Sequence, residues 1–206
     1  MTVAALPTSS QPYPRTARVV ALAASAGGLQ ALGEVLAGLP PEIGAAILIV
    51  QHLDPTRPSH LASILARKSK LPVKEAAEHD RLVRGAAFVA PPAAHLMVSE
   101  EGELSLSHHP PIHHVRPSAD QLFESMAESF GARAVAVVLT GMGLDGASGT
   151  QAIKRRGGTV IVQDQATSAF FGMPGAAIAA GDVDQVLPLN AIPGVLIQLA
   201  GVRNLP

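Results

Sequence analysis

Apolar residues in this chain fall into short unbroken runs, separated by stretches in which they recur every three or four positions. Arg18–Ala24 (RVVALAA), Ala46–Val50 (AILIV) and Ala134–Leu139 (AVAVVL) are runs of strand length with no polar break after the first residue. Leu29, Leu32, Val35 and Leu36 instead keep helical spacing, and Gly38 and Pro40 supply the stop. Leu61, Ile64 and Leu65 do the same within His60–Lys68. Ser118-Ala119-Asp120-Gln121 has the spacing of a capping box, with Ser118 as N-cap and Gln121 reaching back, and opens a helix through Phe130. Helices near Ser148–Arg156, Gly175–Ala180 and Ile192–Leu199 alternate with strands at Thr159–Gln163 and Val186–Leu187. Residues 72–107 differ. Short strands near Val73, Phe88 and His95–Val98 are split by Gly85, Pro91-Pro92 and Gly102, a pattern of partly antiparallel edge structure. Residues 1–16, with Pro7, Pro12 and Pro14 among Thr and Ser, read as a flexible lead-in.

Wholly apolar strands alternating with helices predict an α/β fold. Its sheet is doubly wound and mainly parallel, buried between helices, with a small antiparallel edge hairpin. Composition agrees: 48% of residues are hydrophobic and only 15% charged. A net charge of −1 supplies no field to gather nucleic acid, and 3% aromatic content leaves few platforms for stacking bases. The absence of cysteine removes disulfides and thiolate metal sites. No run approaches the roughly 18 apolar residues of a membrane helix, and the N-terminus lacks a signal-peptide pattern, so the expected compartment is the cytoplasm.

In open α/β sheets ligands bind beyond the carboxyl ends of the strands. Ser25-Ala26-Gly27-Gly28 follows the first run, Gln51-His52 the second, and Thr140-Gly141-Met142-Gly143-Leu144-Asp145-Gly146 the third. A serine, a histidine and an aspartate thus converge on one sheet edge. Each has an ordinary structural reading: Ser25 as a helix cap, His52 as a strand-end residue, Asp145-Gly146 as a turn. The small residues around Ser25 suit a relaxed G-x-S-x-G elbow with Ala23 in place of the first glycine. His52 has the chemistry of a general base, and Asp145 could orient it. Asp54 is a rival orienting acid, but its place before Pro55 suits a turn or cap. The glycines around Met142 suggest backbone N–H groups turned toward a cleft, as an oxyanion requires. His108, His109, His113 and His114 flank Pro110-Pro111 without a carboxylate at ligand spacing, which reads as a solvated loop, not a metal site.

Taken together these residues resemble the catalytic domain of CheB-type chemotaxis methylesterases. The matching segments are Ala24–Gly28, Gln51-His52, Phe88–Pro91, Arg116–Asp120, Thr140–Gly146 and Phe171–Pro174, in family order over about residues 18–200. The resemblance implies that Ser25 is the nucleophile, His52 the base and Asp145 its orienting acid. It also implies that the Met142 N–H helps form the oxyanion hole, with the Ala26 N–H as a second candidate donor. It further implies a substrate, the γ-glutamyl methyl ester on cytoplasmic helices of methyl-accepting chemoreceptors, and deamidation of receptor glutamines by the same acyl chemistry. No cofactor is implied. The catalytic domain is expected over residues 17–206. Relatives often carry Thr after the nucleophile where this chain has Ala26, so a supporting hydroxyl is lost. They also usually follow a phosphoacceptor receiver domain; the first candidate strand here begins at Arg18, so the expectation is a catalytic domain without one.

Two other readings fit part of the pattern. A dinucleotide-binding module would need G-x-G-x-x-G, but Ala23 and Ser25 occupy its leading glycine positions. A catalytically silent adaptor of the same fold that binds receptor helices would keep the sequence segments without the reaction.

Overall fold

A computed structural model describes residues 13–181 and 183–202. Its strands are β1 (Arg18–Ala24), β2 (Ala45–Gln51), β3 (Val73–Glu75), β4 (Ala87–Val89), β5 (His95–Val98), β6 (Leu104–Ser107), β7 (Ala134–Val138), β8 (Thr159–Gln163) and β9 (Gln185–Leu187). Its helices are α1 (Gly28–Ala37), α2 (Leu61–Ala66), α3 (Ala119–Phe130), α4 (Ala147–Arg155), α5 (Gly172–Ala180) and α6 (Ile192–Ala200). Seven strands form one parallel sheet in the order β3-β4-β2-β1-β7-β8-β9. The chain leaves β1 toward β2 on one side and returns beside β1 as β7 on the other, which puts the topological switch point at the carboxyl end of β1.

The pleat divides the interior in two. Val19, Ala21 and Ala23 of β1 face a core with Phe123, Met126 and Met173, beneath α3 and α5. Val20, Leu22 and Ala24 face a core with Leu32, Leu36, Leu65 and Leu196, beneath α1, α2 and α6. Strands covered on both faces have no use for polar alternation, which is why β1, β2 and β7 read as continuous apolar runs.

Residues 72–107 are partly antiparallel, as expected: β3 and β4 are parallel strands at one edge of the main sheet, and β5 and β6 form the small antiparallel hairpin. The hairpin is a two-stranded sheet of its own, packed on α3, and does not extend the edge of the main sheet. The lead-in reading falls mostly on residues 1–12, which lie outside the described residues. Tyr13, by contrast, is buried: its ring meets Phe130 edge-on, and its hydroxyl donates to Arg18 O and accepts from Ala46 N, at 2.7 and 2.8 Å. A buried aromatic with a satisfied hydroxyl anchors the chain just before β1. Among the described residues no helix is long and apolar enough to cross a membrane.

Candidate active site

Ser25 stands in the turn between β1 and α1. Its N–H donates to Thr140 O (3.0 Å), and its carbonyl accepts from Gly28 N (2.9 Å). Gly27 closes the turn at φ 79°, and a Cβ there would lie 2.9 Å from Ala169 Cβ, so both conformation and space call for glycine. His52, the residue after β2, is held to the neighbouring strand by its N–H on Ala24 O at 3.1 Å. Its Nε2 lies 2.7 Å from Asp145 Oδ2, with the two side chains 12% and 2% exposed. The sheet therefore brings the three predicted residues to one edge, with His52 and Asp145 directly bonded. The Ser25 hydroxyl forms no hydrogen bond with His52 in this arrangement. Because Nε2 is committed to Asp145, Nδ1 is the ring nitrogen left for another partner.

Asp145 is held more completely than a turn residue would be. Oδ2 also accepts from Ala119 N (2.6 Å), and Oδ1 accepts from the Ser118 hydroxyl (2.6 Å) and Asp120 N (3.1 Å). The carboxylate thus caps α3 from outside that helix, at the end where the backbone presents unpaired N–H groups and partial positive charge. Burial by itself pushes this carboxyl upward, but the bonds from His52, Ser118 and Ala119 outweigh it and hold Asp145 below the ordinary carboxylate value. The expected capping box is not formed. Ser118 occupies the N-cap position with extended backbone, yet its hydroxyl makes no cap bond within its own helix, because Asp145 takes it. Asp120, the second residue of α3, accepts from Gly149 N (2.7 Å) and so ties α4 to α3. Burial, with the charge of Asp145 adding to it, raises the Asp120 carboxyl.

The Thr140–Gly146 segment passes close to Ser25: a Cβ on Gly141 would lie 2.9 Å from Ser25 Cβ. Among the described residues no protein acceptor takes the N–H of Met142 or of Ala26. The Met142 side chain points outward, 61% exposed. The segment is braced by Phe170–Met173: Gly141 N donates to Phe170 O (3.0 Å) and Met173 N to Gly141 O (2.9 Å). Gly172 lies so near that a Cβ would come 3.0 Å from Gly141 O and Gly143 N. The Thr140 hydroxyl donates to Ala26 O (2.9 Å) and accepts from Phe170 N (2.9 Å), linking the Ser25 turn to both loops. The buried Gln163 accepts from Thr140 N at 2.8 Å. Thr140, Gln163 and Ser118 were not singled out as site residues from sequence; their polar side chains at strand ends and beside a helix start were the available signal.

A cleft of about 1040 Å³ opens beside Ser25, lined by Leu29, Gln51, Leu53, Ser168 and Ala169 among others. His52 faces a smaller cavity of about 110 Å³ with Pro111, His114 and Arg116. Leu29, Met142, Leu144 and Phe170, all on or beside the loops around Ser25, are large exposed apolar residues. Asp54 accepts from Thr56 N and Thr56 Oγ1 in a local turn and makes no bond to His52. Of the loop histidines, His113 lies 3.4 Å from Asp120 and His108 contacts Ala93 O at 3.3 Å. Among the described residues no three potential ligands are grouped to hold a metal ion.

A doubly wound α/β domain with a histidine–aspartate pair and a half-buried turn serine at its switch point is the class that fold and site define. Residues 20–196 match the CheB methylesterase family, and the chain belongs to it. It is 47% identical over 187 residues to "protein-glutamate methylesterase/protein-glutamine glutaminase 2" of Anaeromyxobacter dehalogenans, covering 90% of this chain and 54% of that protein. It is 43% identical to "protein-glutamate methylesterase FrzG" of Myxococcus xanthus, covering 93% and 56% respectively. The chain thus spans about half the length of the curated relatives it matches. The crystal structure of the Thermotoga maritima CheB methylesterase catalytic domain superposes with a TM-score of 0.85 at 37% identity, covering 89% of this chain and 99% of that one.

Proposed function

We propose that this domain, over residues 17–206, is a protein-glutamate methylesterase with accompanying glutaminase activity, acting in the cytoplasm on helices of methyl-accepting chemoreceptors. The observation that carries the reading is the His52–Asp145 pair, its carboxylate buried, standing at the same sheet edge as Ser25. A rotation of the Ser25 side chain, a fast motion, closes its hydroxyl onto His52 Nδ1 as substrate binds; catalytic hydrogen bonds commonly tighten only then.

The Ser25 oxygen attacks the γ-carbonyl carbon of the glutamyl ester while Nδ1 of His52 takes the hydroxyl proton. Asp145 stabilises the resulting imidazolium through Nε2–H. The carbonyl oxygen becomes an oxyanion, to which the Met142 and Ala26 N–H groups donate. The tetrahedral species collapses, and the methoxide leaves as methanol with the proton from His52. Water, deprotonated by the same nitrogen, attacks the acyl-serine; collapse releases glutamate, and His52 returns the proton to the departing Ser25 oxygen. A glutamine substrate follows the same path with ammonia as leaving group. The exposed apolar side chains of Leu29, Met142, Leu144 and Phe170 around Ser25 suit a protein helix better than a free amino-acid ester.

Methanol release from a methylated receptor cytoplasmic fragment tests this. The wild-type chain is expected to release methanol and Ser25→Ala to release none. Equal release by both would reject Ser25 as nucleophile, and no release by either folded protein would leave the adaptor function in its place.

A further inference from the structure

We propose that Gln51 is a positioning residue that sets the nucleophile turn against the base strand; the proposal rests on the esterase reading of this site. Gln51 ends β2, is 7% exposed, and pairs in register with Ala24 of β1. Its side-chain NH2 group uses one hydrogen on Ser25 O (2.8 Å) and the other on His52 O (3.1 Å). A single planar amide thus spans the backbones of nucleophile and base. On the opposite side the Ser25 N–H is held by Thr140 O, so the turn is fixed from both flanking strands. Among the described residues Gln51 supplies the side-chain bonds that reach Ser25 and His52 together.

The other end of the same side chain is what makes a purely structural role a poor explanation. Gln51 Oε1 is buried without a hydrogen-bond partner, an unfavourable state that a methionine of similar shape would avoid. The surroundings nevertheless make room for it: a Cβ on Gly28 would fall on Oε1 and also crowd Ala24 Cβ at 2.7 Å, so glycine at the first residue of α1 accommodates both the amide and β1. The arrangement gives up a buried acceptor, and in return holds the two donor contacts to Ser25 and His52. Acyl transfer depends on the separation of those two groups, and small displacements of reacting groups are costly in rate.

The test is kcat and KM for methanol release from a methylated receptor cytoplasmic fragment across a pH series. Gln51→Met and Gln51→Glu are compared with wild type, each checked by thermal unfolding, with Ser25→Ala as control. Gln51→Met is expected to lower kcat about 10- to 100-fold with KM within about twofold, because the loss falls on alignment, not on binding. Gln51→Glu places an ionised oxygen against two carbonyls, but burial raises the introduced carboxyl and lets it regain a hydrogen on acidification. Its activity relative to wild type is therefore expected to rise as pH falls, a response that simple core loosening would not give. Folded Gln51→Met with kcat within about twofold of wild type overturns the proposal. If Gln51→Met does not fold, a pH-independent ratio for Gln51→Glu overturns it. Methanol release that survives Ser25→Ala would instead overturn the esterase reading itself, whatever Gln51 does.

Discussion

Replacing Ser118 with alanine separates a helix cap made within α3 from one supplied by Asp145. In an ordinary capping box the serine hydroxyl accepts from its own helix, and its loss costs about 1 kcal/mol with little dependence on pH. Here the hydroxyl donates to a buried carboxylate at 2.6 Å. Deleting a charge-assisted bond of that kind is worth about 1.5–3 kcal/mol. For a domain of this size that corresponds to a fall of about 3–12 °C in Tm at neutral pH. The pH dependence follows from the depressed carboxyl of Asp145. A group whose folded value lies below its unfolded one, near 3.9 for Asp, contributes stability that is full above the unfolded value. That contribution is lost as pH falls through the folded value. The difference in Tm between wild type and Ser118→Ala should therefore be full near pH 7 and shrink as acid protonates Asp145 in the folded protein, below the ordinary carboxylate range. His52 keeps its own bond to Oδ2, so kcat should fall less than about tenfold. Thermal unfolding by circular dichroism at several pH values is the assay. A Tm difference that is absent at neutral pH would refute the account of Asp145 as the cap of α3.

Three further outcomes are expected. Thr140→Val leaves Ala26 O and Phe170 N without their shared hydroxyl; stability should fall by about 1–3 kcal/mol, read from urea unfolding, with a larger proportional loss in kcat than in KM. Gly172→Ala drives a methyl group onto Gly141 O and Gly143 N, displacing the loop that carries the Met142 N–H; a loss of about 10²–10³-fold in kcat, measured by methanol release, matches removal of an oxyanion donor. Met142→Ala keeps that N–H and removes only an exposed side chain, so turnover of a small methyl ester should stay within about threefold of wild type, while KM for a receptor fragment rises.

The strand ends were readable in the sequence because a parallel sheet covered on both faces needs unbroken apolar strands, and whatever polar residue follows such a run must emerge at the edge. The sequence pattern alone therefore places Ser25, His52 and Asp145 at one sheet edge. The neighbours that hold them were less visible. Ser118 and Gln121 carry a local capping pattern, and local patterning cannot reveal that Asp145, 27 residues further on, claims the hydroxyl. The Phe171–Pro174 segment could be recognised as a family signature, but not as the brace under Gly141, because that contact joins two loops through a missing side chain. β3 and β4 are three residues each, too short for alternation to distinguish parallel from antiparallel partners. β6, Leu104–Ser107, escaped notice because two leucines among serines do not make an apolar run. Tyr13 sits among prolines and polar residues, and only its burial against Phe130 shows that the packed domain extends back to it.

The most direct test of the central claim is to label the protein with a fluorophosphonate, which reports an activated serine by forming a stable adduct, and to map the site by peptide mass. The account predicts a single adduct on Ser25, formed much more slowly when His52 is replaced by Gln and absent in Ser25→Ala. An adduct on another serine, or labelling of Ser25 at the same rate without His52, would contradict it.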